Sequence, residues 1–221
     1  MEKIVYAGDS TAAFNSIHSY PQTGMSQGLA RYVSDEVTIR SFARNGRSTK
    51  SFITEGLLEK CENALETGDL FLIQFGHNDE KDDEARHTDP FTTYQENLTV
   101  FVETARRKQA IPVLVTPIAR RLFDEAGNFK PGSHGEYPKA VRELGARLSV
   151  PVVDLTAITE DYLAHMGDIA SKPLFMWPKD NTHLKPEGAV IMAGFLAREL
   201  QKLGEPYSRF FLAAPTLSET F

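Results

Sequence analysis

Five short apolar runs constrain this chain more than any other feature: residues 4–7, 37–39, 70–75, 112–116 and 150–155. A strand with one wet face alternates apolar and polar side chains. These runs are continuous, so they have no polar face to turn toward water. They read as strands of a parallel sheet covered on both sides. Helical patterns lie between them. Residues 92–108 set Tyr94, Leu98, Phe101, Val102 and Ala105 along one stripe. Residues 137–148 and 187–203 do the same, and 25–32 and 48–65 do so more weakly. Strand and helix therefore alternate, which predicts an α/β fold: a three-layer α/β/α sandwich on a five-stranded parallel sheet. No repeat or linker divides the chain, so residues 1–221 read as one domain. A chain of this length buries roughly 70% of its unfolded surface and needs no staples.

Charge and cysteine content exclude several classes. There are 24 basic and 30 acidic residues, a net charge of -6. That balance predicts no nucleic-acid partner, which would want a basic face, but it leaves room for a local basic pocket. The single cysteine, Cys61, allows no intramolecular disulfide. No apolar run approaches the ~20 residues of a membrane span. The start, Met1-Glu2-Lys3-Ile4-Val5-Tyr6, shows no secretory pattern, so a cytoplasmic monomer or small homo-oligomer is expected. Two connections are long and polar, residues 78–90 and 119–135, and loops of that length in a compact domain are often functional. A solvated charge run is the plain alternative for the first. The aromatic tail, with Phe210, Phe211, Leu212 and Phe221, is expected to pack within its own chain.

The chemistry gathers at strand ends. The first strand runs into Gly8-Asp9-Ser10-Thr11, which places Ser10 at the carboxyl edge of the sheet, where ligands of open α/β sheets bind. The following segment is expected to turn helical and aim its N–H groups at an anion. Plain turn chemistry is the alternative. The third strand ends in Phe75-Gly76-His77-Asn78-Asp79 on the same edge, where Asn78 can offer its amide to a developing oxyanion. His77 suits a hydrogen-bonding role in that turn better than that of a base. After the second strand, Gly46 can bring its N–H close to a ligand, with Ser48 as a plain helix cap. Late in the chain, Asp180 and His183 stand three apart before a helix opened by Pro186. A carboxylate there can fix the imidazole tautomer and leave Nε2 as a base. Asp9, beside the nucleophile, is assigned to tying down its loop. No G-x-S-x-G elbow is present.

Taken together, Gly8-Asp9-Ser10, Gly46, Gly76-His77-Asn78-Asp79 and Asp180-Asn181-Thr182-His183 resemble the four ordered blocks of the SGNH (GDSL-type) hydrolases. The likeness spans the domain and implies a flavodoxin-like SGNH fold. Within that superfamily the chain looks most like the rhamnogalacturonan acetylesterases, through residues 75–79, Tyr20-Pro21-Gln22-Thr23-Gly24 and residues 180–184. Met25 departs from the Trp that many relatives carry there. The resemblance implies Ser10 as nucleophile, His183 as base, Asp180 as its orienter, and Ser10, Gly46 and Asn78 as oxyanion hole. It implies no cofactor and no metal.

The expected substrate is an acetylated pectic oligosaccharide. Arg44, Arg47, Arg120 and Arg121 follow strand ends, and arginine pairs bidentately with carboxylates. Arg47, Arg120 and His77 are the candidate contacts, and Trp177 is placed to stack on a sugar face. Surface charge and core packing are the plain alternatives. Rival readings are a lipid or thioester hydrolase, a metallophosphatase using Asp9, Asn78, Asp79, Asp180 and His183, and a binding protein without catalysis.

Overall fold

Each of the five apolar runs supplies a parallel strand in the computed structural model, which describes residues 2–212. These are β1 (Glu2–Gly8), β2 (Val37–Ser41), β3 (Leu70–Gln74), β4 (Ile111–Val115) and β5 (Val152–Val153). Their order is β2-β1-β3-β4-β5. The order reverses between β1 and β3, and that switch point opens a crevice at the carboxyl ends. Gly8 pairs with Gln74 at the last rung before it.

Burial explains why the runs are continuous. On one face Ile4, Tyr6, Leu70, Leu72, Val113 and Val115 pack with α1 (Met25–Leu29), α6 (Leu155–Met166) and α8 (Pro186–Lys202). On the other, Val5, Ala7, Phe71, Ile73 and Leu114 pack under α2 (Thr49–Thr54), α3 (Leu57–Ala64), α4 (Gln95–Arg107) and α5 (Tyr137–Leu148). Successive side chains of a strand thus enter opposite cores, so neither face of the sheet is left to water.

Three local expectations differ from what folds. Residues 48–65 form two helices, because Gly56 sits at φ 70° and breaks the run. The fifth strand shortens to Val152–Val153, because the Asp154 side chain accepts from Ala157 N and caps α6. That helix, and the short α7 (Asp168–Ser171), carried no sequence expectation. After Ser10 the chain makes one turn, Ala12 N to Asp9 O at 3.2 Å, and then leaves helical geometry. The Asp9 side chain takes the Thr11 N–H there, and such local bonds compete with a helix. In the tail, Phe210 is fully buried and Phe211 bridges to Val33, which is packing within the chain as expected. Phe221 lies outside the described residues. No described helix is long and apolar enough to cross a membrane.

Candidate active site

Ser10 leaves β1 at the switch point. Asp9, fully buried, accepts from both Thr11 N (2.9 Å) and Thr11 Oγ1 (2.8 Å). Those two bonds fix the turn that carries Ser10, which is the loop-tying role expected of Asp9. The other Asp9 oxygen lies 3.4 Å from His77 Nδ1, close enough for electrostatic attraction but outside hydrogen-bond alignment. Burial pushes His77 down to about 4, against the pull of Asp9, so its ring is neutral near pH 7. Burial alone would raise Asp9, but His77 and the two bonds from Thr11 more than offset it, leaving its carboxyl below the ordinary range.

The loop before α8 supplies an imidazole. His183 Nε2 lies 3.0 Å from Ser10 Oγ, and Nδ1 lies 3.1 Å from Asp180 Oδ2. Asp180 Oδ1 accepts from the backbone N–H of Thr182 (2.9 Å) and His183 (2.7 Å). Burial would raise Asp180, but these two bonds and the imidazole outweigh it and hold the carboxyl low. The spacing of three residues thus works as a local hook. One carboxylate oxygen closes the turn and the other remains for the ring. The loop is pinned at its far end, where Met176 N donates to His183 O at 2.8 Å.

Gly46 and Asn78 form the opposite wall. Gly46 sits at φ 78°, a conformation a Cβ would strain. Among the described residues, neither the Ser10 nor the Gly46 N–H has a protein acceptor. Gly76, at φ 142°, brings the β3 exit against Pro117; a Cβ there would lie 2.8 Å from the proline ring. Asn78 follows. Its Nδ2 donates to Arg47 O (3.1 Å) and its Oδ1 accepts from Arg86 Nη1 (3.3 Å). An amide nitrogen carries two hydrogens, so one remains for a ligand.

Asp79 anchors this wall from below. Its Oδ1 accepts from Thr49 N, Thr49 Oγ1 and Thr88 Oγ1, while Oδ2 has no partner among the described residues. Burial pushes its carboxyl up to about 7, although the Thr49 and Thr88 bonds pull the other way. Between the ordinary 3.8 and about 7 the folded protein holds a proton that the unfolded chain has lost. Stability therefore falls as pH rises through that window. Asp79→Asn has no charge to desolvate. Its melting temperature is expected to gain on wild type from about pH 4 to about pH 7 and to hold that gain above. A difference independent of pH would sink the buried-proton account.

Ser10, Gly46, His77, Asn78, Arg120, Asp180 and His183 all line one cleft of about 500 Å³. Two predicted contacts do not. Arg47 bonds Glu55 through Nε (2.9 Å) and the Asn45 carbonyl through Nη1 (2.9 Å), which turns its guanidinium out of the cleft. Trp177 is 39% exposed, with its indole over Arg121 (4.9 Å) and Lys172 (5.3 Å). Arg121 itself is buried, paired with Asp168 and bonded to Ser171 Oγ. Arg120 lines the cleft, but its guanidinium is occupied by Glu80, Thr182 Oγ1 (2.5 Å) and His77 O (3.3 Å). It is a strut from the β4 exit to the Asp180 loop. Residues given no site role from the sequence also line the cleft: Gln22, Asn45, Lys81, Arg86 and Thr182. Lys81 and Arg86 belong to the charged loop 78–90, whose length was the one available signal. Among the described residues, no group of three or more His, Cys, Asp or Glu is placed to hold a metal ion.

A serine, imidazole and carboxylate in hydrogen-bond series, facing free N–H donors on the carboxyl edge of a 2-1-3-4-5 sheet, mark a defined class. The chain belongs to the GDSL-like lipase/acylhydrolase family, which it matches over residues 6–191, and with it to the carboxylic ester hydrolases. It is 40% identical over 216 residues to rhamnogalacturonan acetylesterase RhgT of Bacillus subtilis, across 92% of this chain and 91% of that one. Solved structures share the fold, two of them as follows. YxiM of Bacillus subtilis superposes with a TM-score of 0.81 at 23% identity, over 94% of this chain; the chain spans 58% of YxiM's length. Axe2, an acetylxylan esterase of Geobacillus stearothermophilus, has a TM-score of 0.66 at 19% identity, over 90% of this chain and 93% of that one.

Proposed function

We propose that this chain is a carbohydrate O-acetylesterase acting on acetylated rhamnogalacturonan oligosaccharides. The hydrogen-bond series Ser10–His183–Asp180, at 3.0 and 3.1 Å, carries the chemistry. The 40% identity to a rhamnogalacturonan acetylesterase, nearly end to end, supports the substrate.

Ser10 Oγ attacks the acetyl carbonyl carbon while its proton passes to His183 Nε2. The carbonyl π pair moves onto oxygen, where the Ser10 and Gly46 N–H groups and the second Asn78 amide hydrogen receive it. Collapse breaks the bond to the sugar oxygen, which takes the proton back from His183. Asp180 holds Nδ1–H throughout and stabilises the imidazolium. Water then repeats the sequence on the acetyl-enzyme and releases acetate. Every proton finds a named donor and acceptor within the chain, the sugar or water.

Acetate release separates the substrate classes. kcat/KM is expected to be at least about tenfold higher on acetylated rhamnogalacturonan oligosaccharides than on acetyl-xylooligosaccharides of equal length, a difference of about 1.4 kcal/mol in transition-state binding. An equal or reversed ratio would keep the esterase and remove the pectic substrate.

A further inference from the structure

We infer that Lys81 is the carboxylate-recognition residue of this cleft: its ammonium pairs with a uronate carboxylate on a sugar within one ring of the acetyl ester. The inference rests on the acetylesterase reading above.

Three cationic side chains of basic residues line the cleft: Lys81, Arg86 and Arg120. Arg120 pairs with Glu80. Arg86 pairs with Asp83 and steadies Asn78. Lys81 has no acidic partner and no side-chain hydrogen bond among the described residues. It is a cation presented to the cleft with its charge unspent.

Its backbone, by contrast, is tied. Lys81 N donates to Asn78 O at 3.2 Å, and Lys81 O faces His87 Nδ1 at 3.1 Å. The loop closes below on the buried base, with Thr88 N bonded to Asp79 O at 3.1 Å and Tyr137 Oη bonded to Asp79 O at 2.9 Å. Lys81 therefore starts one turn from Asn78. That spacing suits an anionic group near the ester, but not on the reacting carbonyl.

Charge balance gives the lysine a task. The chain carries a net charge of -6, which repels an acidic oligosaccharide at long range. A local unpaired cation offsets that repulsion where the substrate enters. An ammonium on a flexible stem also suits a carboxylate whose position shifts along a polymer, where a bidentate arginine would demand one geometry.

The test compares two oligosaccharides with the same acetyl groups: the native uronate form, and one whose carboxylates have been reduced to alcohols. The readout is the ratio of their kcat/KM values, which a general loss of activity leaves unchanged. Lys81→Met is expected to lower that ratio about fivefold through KM, and Lys81→Glu to lower it further. Digalacturonate, as a competitive inhibitor of p-nitrophenyl acetate hydrolysis, is expected to bind Lys81→Met about fivefold more weakly than wild type. Added salt is expected to pull the wild-type ratio toward that of the variant. An unchanged ratio and an unchanged inhibition constant in Lys81→Met would overturn the assignment while leaving the acetylesterase reading intact. A wild type that is inactive on the acetylated uronate form, yet inhibited by digalacturonate through Lys81, would overturn the substrate reading and keep the carboxylate site.

Discussion

Ser10→Ala is expected to lower kcat by on the order of 10⁶-fold, the loss that removal of a triad serine causes in subtilisin. The geometry gives the reason. Among the described residues, Ser10 Oγ is the one atom within hydrogen-bond reach of His183 Nε2 that can form the acetyl bond, at 3.0 Å. Alanine leaves His183 and Asp180 in place, with their 3.1 Å contact, but with nothing to deprotonate except water. The Ser10 backbone N–H survives the substitution, so oxyanion binding persists and a residual rate of about 10³–10⁴ over water remains. The fold has little to lose, since the bonds of the turn run from Thr11 and Ala12 to Asp9 and not through the Ser10 side chain. Burst kinetics on p-nitrophenyl acetate, and the intact mass after a fluorophosphonate probe, check it. A variant that keeps wild-type turnover would discard the acetyl-enzyme route.

Asn78→Ala is expected to cost kcat about 10²–10³-fold, with a much smaller change in KM, the usual effect of losing one oxyanion donor. The amide is unusually well set for that task. Its oxygen is held by Arg86 and one of its hydrogens by the Arg47 carbonyl, so the remaining hydrogen has a fixed direction. Preorganised donors of this kind cost no reorientation when charge develops, which is why their removal acts on kcat. Two backbone donors remain, on Ser10 and Gly46, so the loss stays well short of that in Ser10→Ala. Single-turnover rates separate acylation from binding. Full activity in Asn78→Ala would remove it from the oxyanion hole.

The same pair of residues shows what was legible beforehand. Ser10 and Asn78 stand directly after buried strands, and a strand that must sit in a two-sided core delivers whatever follows it to the sheet edge. Asp180 and His183 were legible because their interaction is local. Three residues suffice for one carboxylate to close the turn and orient the ring. The arginines were not legible. Arg47 lies near the cleft in sequence, but Glu55, eight residues on, takes its guanidinium. That capture depends on α2 being short and ending where it does, and the break at Gly56 that ends it was invisible in the apolar stripe. Arg120 was placed at the right edge, but its bonds to Glu80 and Thr182 were not legible, because those residues come from 40 and 62 residues away. Trp177 was read as a sugar platform, yet its ring meets Arg121, from the loop after β4, and Lys172, from the end of α7, a helix the periodicity did not suggest.

The division follows from the range of the forces. Continuous apolar runs settle a two-sided parallel sheet, because burial depends on side-chain character alone. Short polar motifs at the ends of those runs settle where Ser10, His183, Gly46 and Asn78 stand. Which cation stays free to meet a substrate is decided only in three dimensions. An arginine is claimed by whichever carboxylate the fold brings nearest, and here Glu55, Glu80, Asp83 and Asp168 claim four of them. Lys81 is left unpaired in the cleft by that competition, and no local pattern around it says so.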